Sequence, residues 1–257
     1  MTPGPSSSTS RATTRRSAGS SPWRRSSGGA AELTDLAIRT LQDVAKPGVA
    51  ETELVALAEE SYRRRGGTTR ITFLRSMPMD EPNGCLPAQN PSQRRLERGD
   101  VILTELSASL WGYSGQVHRP IFVGAAPTAD WLHLFDVAKD AYDRVAAGMT
   151  PGSSEGDAIR NAAVIGGAGY AIYDDLIHGY GTDYGPPLVD RSCVAYWRDD
   201  AEPPPGRTIE EGMTIVIQPN PITPDERMGL QLGALTVVTE NGAQSLHTLP
   251  FEPLLAA

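Results

Sequence analysis

Two polar side chains in this chain stand at the ends of apolar, β-branched runs. Gly99-Asp100-Val101-Ile102-Leu103-Thr104-Glu105 and Gly212-Met213-Thr214-Ile215-Val216-Ile217-Gln218 each open at a glycine and close, six positions on, at a carboxylate or its amide counterpart. A glutamate at such a place can serve as a general base. A glutamine there can orient a ligand or donate to a developing oxyanion without carrying charge. The four histidines are His118, His133, His178 and His247. An imidazole titrates near neutrality, so one set beside Glu105 would complete a proton-transferring pair. His178 precedes Gly179-Tyr180-Gly181, where it either caps a turn or reaches a ligand. His118 adjoins Arg119 and faces either a pocket or the surface of a strand, whereas His133 and His247 look like ordinary helix and strand residues. Tyr113, Tyr180 and Tyr184 are placed to shape an aromatic pocket or to pack in the core, with Asp183 at its rim.

The elements that must position these groups repeat. Leu33, Leu36, Ala37, Leu41 and Val44 recur at helical spacing; Pro47-Gly48 breaks the helix, and Glu51 to Arg65 restarts it until Gly66-Gly67. Later, Val137, Ala141, Val145 and Ala146 form a helix, Pro151-Gly152 breaks it, and Glu155 to Ile165 forms another before Gly166-Gly167. Pro47-Gly48-Val49-Ala50-Glu51 aligns with Pro151-Gly152-Ser153-Ser154-Glu155 without gaps. Each helix pair precedes one of the two strands with a polar end. An internally duplicated α+β domain follows, with Glu105 and Gln218 at related places on one sheet. Ser114 to Val123 and Leu230 to Thr239 read as further strands, the second ended by the Asn241-Gly242 turn. Asp199 to Arg207 and Pro219 to Arg227 read as loops.

Composition bounds the function. The chain has 257 residues, 39% of them hydrophobic and 21% charged, which fits a globular domain rather than a fibrous or disordered one. No apolar run approaches the roughly 20 residues of a membrane-spanning helix, so no membrane partner is expected. Residues 1–30 carry Arg11, Arg15, Arg16, Arg24 and Arg25 and no acid, so the net charge of −8 leaves −13 on the remainder. A domain that acidic repels phosphate backbones, and no nucleic-acid partner is expected. Residues 1–30 are rich in Ser, Thr, Gly and Pro and read as a disordered basic tail or a misassigned start, with 31–257 a single domain. A transit peptide would share the composition but needs an amphipathic stripe that is missing here. Cys85 and Cys193 are too few for a disulfide framework or a thiolate zinc site, and the cytoplasm is the expected location.

The order of motifs resembles the aminopeptidase P, methionine aminopeptidase and creatinase superfamily, whose members have the "pita-bread" fold. Leu86 to Leu96 followed by Glu97-Arg98-Gly99-Asp100 is similar to the superfamily's Pro-His segment and Gly-Asp strand entry. Gly112-Tyr113-Ser114-Gly115-Gln116-Val117-His118-Arg119 resembles Gly-Tyr-x-x-Asp-x-Thr-Arg, and His178-Gly179-Tyr180-Gly181 resembles His-Gly-x-Gly. Glu211 to Pro219 resembles the Pro-Gly-Met strand that ends in Glu-Pro, and Val237 to Gly242 the terminal Val-x-Thr-Glu-x-Gly. The resemblance spans about residues 31–250 and implies a curved, mostly antiparallel sheet of two pseudo-symmetric halves covered by helices. It also implies a homodimer.

Peptide-hydrolysing members hold two divalent metals with two Asp, one His and two Glu. Carried over by position, those ligands fall on Glu105, Gln116, His178, Gln218 and a place at or near Gly233. The Pro-His histidine falls on Ala88 or Gln89, and the histidine after His-Gly-x-Gly on Gly185. One carboxylate and one imidazole cannot offset the charge of two divalent ions, so no catalytic metal and no cofactor are expected. Glu105, Gln116, His178 and Gln218 nevertheless all remain polar. The resemblance places them in one pocket, where buried polar groups require partners or a ligand.

The leading reading is a metal-independent enzyme acting on a small amide, amino-acid-derived or peptide-like molecule, as hydrolase, lyase or cyclase. Glu105 is its base, His178 its partner acid, and Gln116 and Gln218 its orienting amides; Tyr113, His118, Tyr180 and Asp183 contact substrate. Creatinase is the metal-free precedent, although its histidine base lies in the segment that here reads Ala88-Gln89. The alternative is a non-catalytic pseudo-peptidase that binds a peptide or protein partner in the cleft, and a third reading is a one-metal peptidase.

Overall fold

The structure is a computed structural model that describes residues 22–257. In chain order the elements are α1 (Pro22–Val44), α2 (Glu51–Arg63), β1 (Thr68–Pro78), β2 (Asp100–Leu110), β3 (Tyr113–Ser114), β4 (Val117–His118), β5 (Ile121–Val123) and α3 (Ala129–Gly148). There follow α4 (Glu155–Asn161), α5 (Val164–Gly167), β6 (Ala171–Ile172), β7 (Ile177–Tyr180), β8 (Tyr184–Val189) and α6 (Val194–Arg198). The chain ends with β9 (Thr214–Ile217), β10 (Pro221–Ile222), β11 (Gly233–Thr239), β12 (Gly242–Ser245) and β13 (Leu254–Ala256).

The main sheet runs β13-β5-β2-β4-β11-β9-β7-β8, with β1 and β3 also paired to β2 and β12 to β11; β6 and β10 form a separate ribbon. Only the β13–β5 pairing is parallel among the pairings of the described residues. The expected α+β class and the curved, mostly antiparallel pita-bread sheet are therefore what the chain forms. Strand alternation sorts its two faces. Ile102, Leu106, Ala108 and Val117 pack under α1 and α2, and Ile215, Ile217, Ala234 and Val238 pack with α3 and α4. The opposite parity, which includes Glu105, His118, Val216 and Leu235, lines the other face. Helix α3 presents Trp131, Leu134, Phe135, Ala138, Ala141, Tyr142 and Val145 as one buried stripe.

The internal duplication is visible bond by bond. Gly48 and Gly152 both sit at positive φ, 94° and 93°, and so do Gly99 and Gly212, at 92° and 85°; an L side chain at any of these would be strained. Gly48 donates to the Leu96 carbonyl at 2.8 Å and Gly152 to that of Ile209 at 2.9 Å. Gly99 donates to Val123 and Gly212 to Val238, at 2.8 and 3.0 Å. Glu51 accepts from the N–H groups of Ser76 and Ser92, as Glu155 does from those of Leu188 and Arg207. In each half, a glutamate in the first turn of the second helix ties loops to the frame.

Three sequence expectations need correction. Helix α1 begins at Pro22, inside the segment 1–30 expected to lack structure; Ser27 and Ala30 are buried, so apolar contacts order residues that composition alone left unfolded. Residues 1–21 of that segment lie outside the described residues. Ser114 to Val123 is three short strands, because Gly115 packs tightly on the backbone of Ala30 and Ala31 and Pro120 has no N–H for a ladder. Glu155 to Ile165 is two helices, α4 and α5, rather than one.

His247 is no ordinary strand residue. Its Nδ1 lies 2.6 Å from Asp35 Oδ1, and the other Asp35 oxygen accepts from Thr248 N and Oγ1. This buried pair ties α1 to the chain's C-terminal segment.

Candidate active site

Glu105 lies in β2, opposite His118 of β4. His118 in turn lies opposite Gly233 of β11, and the Gly233 Cα would carry its side chain against Gln218, just past β9. One row across the sheet therefore runs Glu105, His118, Gly233, Gln218. Gln116 stands two residues before His118 and so on the same face. His178 pairs with Val216, two residues before Gln218.

The Gln116 amide is the hub. Its Nε2 lies 3.0 Å from Glu105 Oε1, 3.4 Å from His118 Nε2 and 3.5 Å from Gln218 Oε1. Three acceptors around one NH2 fix that end of the amide as the donor. His118 Nε2 is 3.9 Å from Glu105 Oε1. All of these side chains are buried, and Gln116 Oε1 and His118 Nδ1 have no hydrogen-bond partner.

His178 Nδ1 faces the Gly179 carbonyl at 3.3 Å. Its ring lies 4.5 Å from that of Tyr184 and 5.5 Å, edge-on, from that of Tyr180, and it also interacts with the Gln218 amide. Burial pushes the His178 imidazole down to about 4, because a charged ring there loses its water. At neutral pH it is uncharged, which corrects the expectation that it serves as a protonated acid beside Glu105. The imidazole next to Glu105 is that of His118.

The other expected residues divide. Tyr180 belongs to the site: it is buried and its hydroxyl is 3.2 Å from Ser107 Oγ. Tyr113 pairs with Leu110 at the hairpin end of β2, about 16 Å along the strand from Glu105, and does not join the network. Asp183 is exposed at the β7–β8 turn, 4.0 Å from Arg70. With Tyr180, Tyr184 and Pro186 it lines an open cleft of about 400 Å³ beside the buried groups.

Four residues escaped sequence reasoning. Asp174 and Asp175 form the turn between β6 and β7. Asn220 pins that turn by accepting from the N–H groups of Tyr173 and Asp174 while donating to the Asp175 and Gln218 carbonyls. Gln231 Nε2 donates to Asp174 at 3.3 Å. Burial, with the nearby charge of Glu105, holds Asp174 above the usual carboxylate range. Burial likewise raises Asp175 to about 6, although the Tyr184 hydroxyl donates to it. The adjacent acids ahead of His178 were the signal that could have exposed this turn.

Behind the row, Arg119 is fully buried. Its Nη1 donates to the carbonyls of both His118 and Gly233 at 2.7 Å, and its Nε to Pro250 at 3.1 Å. The guanidinium stacks 4.1 Å over Phe251, and burial lowers it to about 10. It joins β4 to β11 beneath the site.

The residues present do not fit the two-metal centre that the resemblance implies. Gln116 and Gln218 offer neutral oxygens where carboxylates are needed. Gly233 offers nothing, and a Cβ there would lie 2.5 Å from the Ile217 carbonyl oxygen and 2.8 Å from Gln218 Cα. Among the described residues no three His, Cys, Asp or Glu side chains are grouped so as to hold a metal ion.

The family model described as metallopeptidase family M24 matches residues 28–240. The chain is 26% identical over 219 residues to an Xaa-Pro dipeptidase of Pyrococcus furiosus, covering 84% of this chain and 59% of that protein. It is 24% identical over 224 residues to a methionine aminopeptidase of Clostridium acetobutylicum, covering 85% and 86%. Among solved structures it resembles the prolidase from Pyrococcus furiosus, with a TM-score of 0.76 at 23% identity, covering 90% of this chain and 65% of that one. It also resembles the methionine aminopeptidase from Rickettsia prowazekii, with a TM-score of 0.71 at 18% identity, covering 85% and 94%. The chain thus spans about three fifths of the dipeptidase relatives it matches. No helix among the described residues is long and apolar enough to cross a membrane.

Proposed function

The chain belongs to metallopeptidase family M24, and from that membership and its altered donor set we propose a metal-independent acid–base enzyme acting on a small amide, amino-acid-derived or peptide-like substrate. One observation carries the reading. Glu105, Gln116, His118 and Gln218 form a buried network whose Gln116 carbonyl and His118 Nδ1 lack partners. Buried polar atoms left open are costly in a purely structural network and useful in one that receives a ligand.

In this scheme Glu105 takes the substrate proton. Gln116 donates to one of its oxygens and so sets the carboxylate's orientation. His118 is the adjoining imidazole through which a proton returns. Gln218 and the neutral His178 orient the substrate with hydrogen bonds, and Arg119 holds the two strands in register from behind. The relatives' names, dipeptidase and aminopeptidase, support a peptide-like substrate.

The test is turnover of a panel of dipeptides, amino-acid amides and N-substituted amino acids, followed by mass spectrometry after exhaustive chelation and dialysis. Glu105→Gln is expected to lower turnover by about two to four orders of magnitude with little change in melting temperature. Retained turnover removes Glu105 from the mechanism. Stoichiometric zinc, manganese or iron in the dialysed, active protein refutes metal independence. The open cleft lined by Tyr180, Asp183 and Tyr184 favours a second reading, a non-catalytic module that binds a peptide. Graded loss of peptide affinity in Glu105→Ala and His178→Ala, with no turnover in the parent chain, would decide for it.

A further inference from the structure

Resting on the reading that Glu105 faces the substrate, we propose that the recess between Glu105 and Asp174 takes a substrate ammonium group, so that the ligand is an amine such as an amino-acid amide or a peptide with a free amino end. The placement is fixed by backbone contacts. Fully buried Asn220 ties the Asp174–Asp175 turn to the strand end that carries Gln218, and the charge of Glu105 is felt at Asp174.

The recess has too many acceptors and too few donors. Among the described residues, no lysine or arginine forms an ion pair with Glu105, Asp174 or Asp175; His118, at 3.9 Å from Glu105, is the single basic neighbour in contact. Gln231 is 2% exposed, and its amide nitrogen is spent on Asp174 while its Oε1 has no partner. Gln116 is 1% exposed, and its amide nitrogen is spent on Glu105 while its Oε1 is likewise open. Two carboxylates and two open amide oxygens call for a ligand that is positive and rich in N–H groups. An ammonium, with three donors and one charge, supplies what the site lacks. A carboxylate or phosphate would meet like charge in a water-poor recess. Tyr184, bonded to Asp175 and lying on His178, closes one side with an aromatic ring, a surface that also tolerates a cation.

The experiment is calorimetric titration of the full chain with L-alaninamide, which carries the ammonium, and with propionamide, which lacks only that group. Alaninamide is expected to bind about tenfold tighter or better. Asp174→Asn is expected to lower alaninamide affinity by a similar factor and to leave propionamide binding unchanged. Potassium and calcium chloride at matched ionic strength should not compete. Equal affinities, no saturable alaninamide binding, an unchanged affinity in folded Asp174→Asn, or displacement by either metal ion overturns the proposal. If Asp174→Asn fails to fold, the alaninamide-to-propionamide ratio on the unaltered chain decides alone. The measurement involves no turnover. An affinity ratio of one alongside a Glu105→Gln loss of turnover would sink the ammonium recess and leave the acid–base enzyme standing.

Discussion

Adding one methyl group at Gly233 tests how tightly the site row is built. The Cβ of Gly233→Ala would sit 2.5 Å from the Ile217 carbonyl oxygen and 2.8 and 2.9 Å from Cα and Cβ of Gln218. All but one of these are backbone atoms, which cannot swing aside as a long side chain would. Reaching ordinary contact requires β11 and the end of β9 to part by about 1 Å. Overpacking of this kind costs about 1–3 kcal/mol. For a chain of this size that lowers Tm by roughly 2–12 °C. The displaced segment carries Gln218, whose Oε1 is already at 3.5 Å from Gln116 Nε2, so the contact across the row should also be lost. Thermal denaturation measures the first effect and the side-chain amide resonances of Gln116 and Gln218 the second. Gly167→Ala, where nothing lies within 4 Å, is the control and should melt with the parent or above it. A Gly233→Ala protein that melts within a degree of the parent with unmoved amide resonances would refute the claim that this position has no room for a side chain, and with it part of the argument against a metal.

Further outcomes follow from the same geometry. Arg119→Lys keeps the charge but loses the fork that spans the His118 and Gly233 carbonyls; denaturant unfolding should show a loss of about 2 kcal/mol or more. An unchanged midpoint would mean that the guanidinium holds nothing together. His178 has a folded-state value near 4 against an ordinary 6.5. The unfolded chain therefore binds more protons between those values, and the contribution of neutral His178 is complete above about pH 6.5 and lost as pH falls towards 4. Its size is on the order of 3 kcal/mol. His178→Gln should flatten the acid limb of the stability–pH curve, and parallel curves would contradict the buried, uncharged ring. Asp175 acts in the opposite sense. Its raised value, about 6, means that its ionised form opposes folding above that pH. Asp175→Asn should therefore raise Tm at pH 7 and lose that advantage below about pH 4, and a lower Tm at pH 7 would refute the assignment.

Much of the frame was legible because glycines and breaks mark it. Gly99 and Gly212 open the two strands, Pro47-Gly48 and Pro151-Gly152 split the helix pairs, and the positive φ at all four glycines explains why the pattern recurs. Strand β1 went unread, although Thr68, Thr69, Ile71 and Thr72 carry the β-branched signal. Of the site, Glu105, Gln116 and Gln218 could be placed by alternation and motif. The protonation of His178 could not, since it depends on packing by Tyr180 and Tyr184 rather than on neighbours in sequence. Asp174 and Asp175 looked like turn punctuation. Their burial comes from Asn220 and Gln231, which lie more than forty residues away along the chain. The pairing of Glu105 with His118 instead of His178 likewise follows from strand register, which motif order does not specify.

The junction between β4 and β11 consists of two residue pairs, His118 with Gly233 and Val117 with Ala234, whereas β11 meets β9 through four. It is the joint at which one duplicated half meets the other, and the reactive groups straddle it: Glu105, Gln116 and His118 ride on the first half, Gln218 and His178 on the second. A small hinge rotation there would separate or squeeze the two sets with little rearrangement inside either half. Residues far out on either wing, in α2 or α4, thus have mechanical leverage on the gap in which a ligand sits. Substitutions that stiffen or slacken this narrow suture should be felt as changes in affinity before they are felt as unfolding.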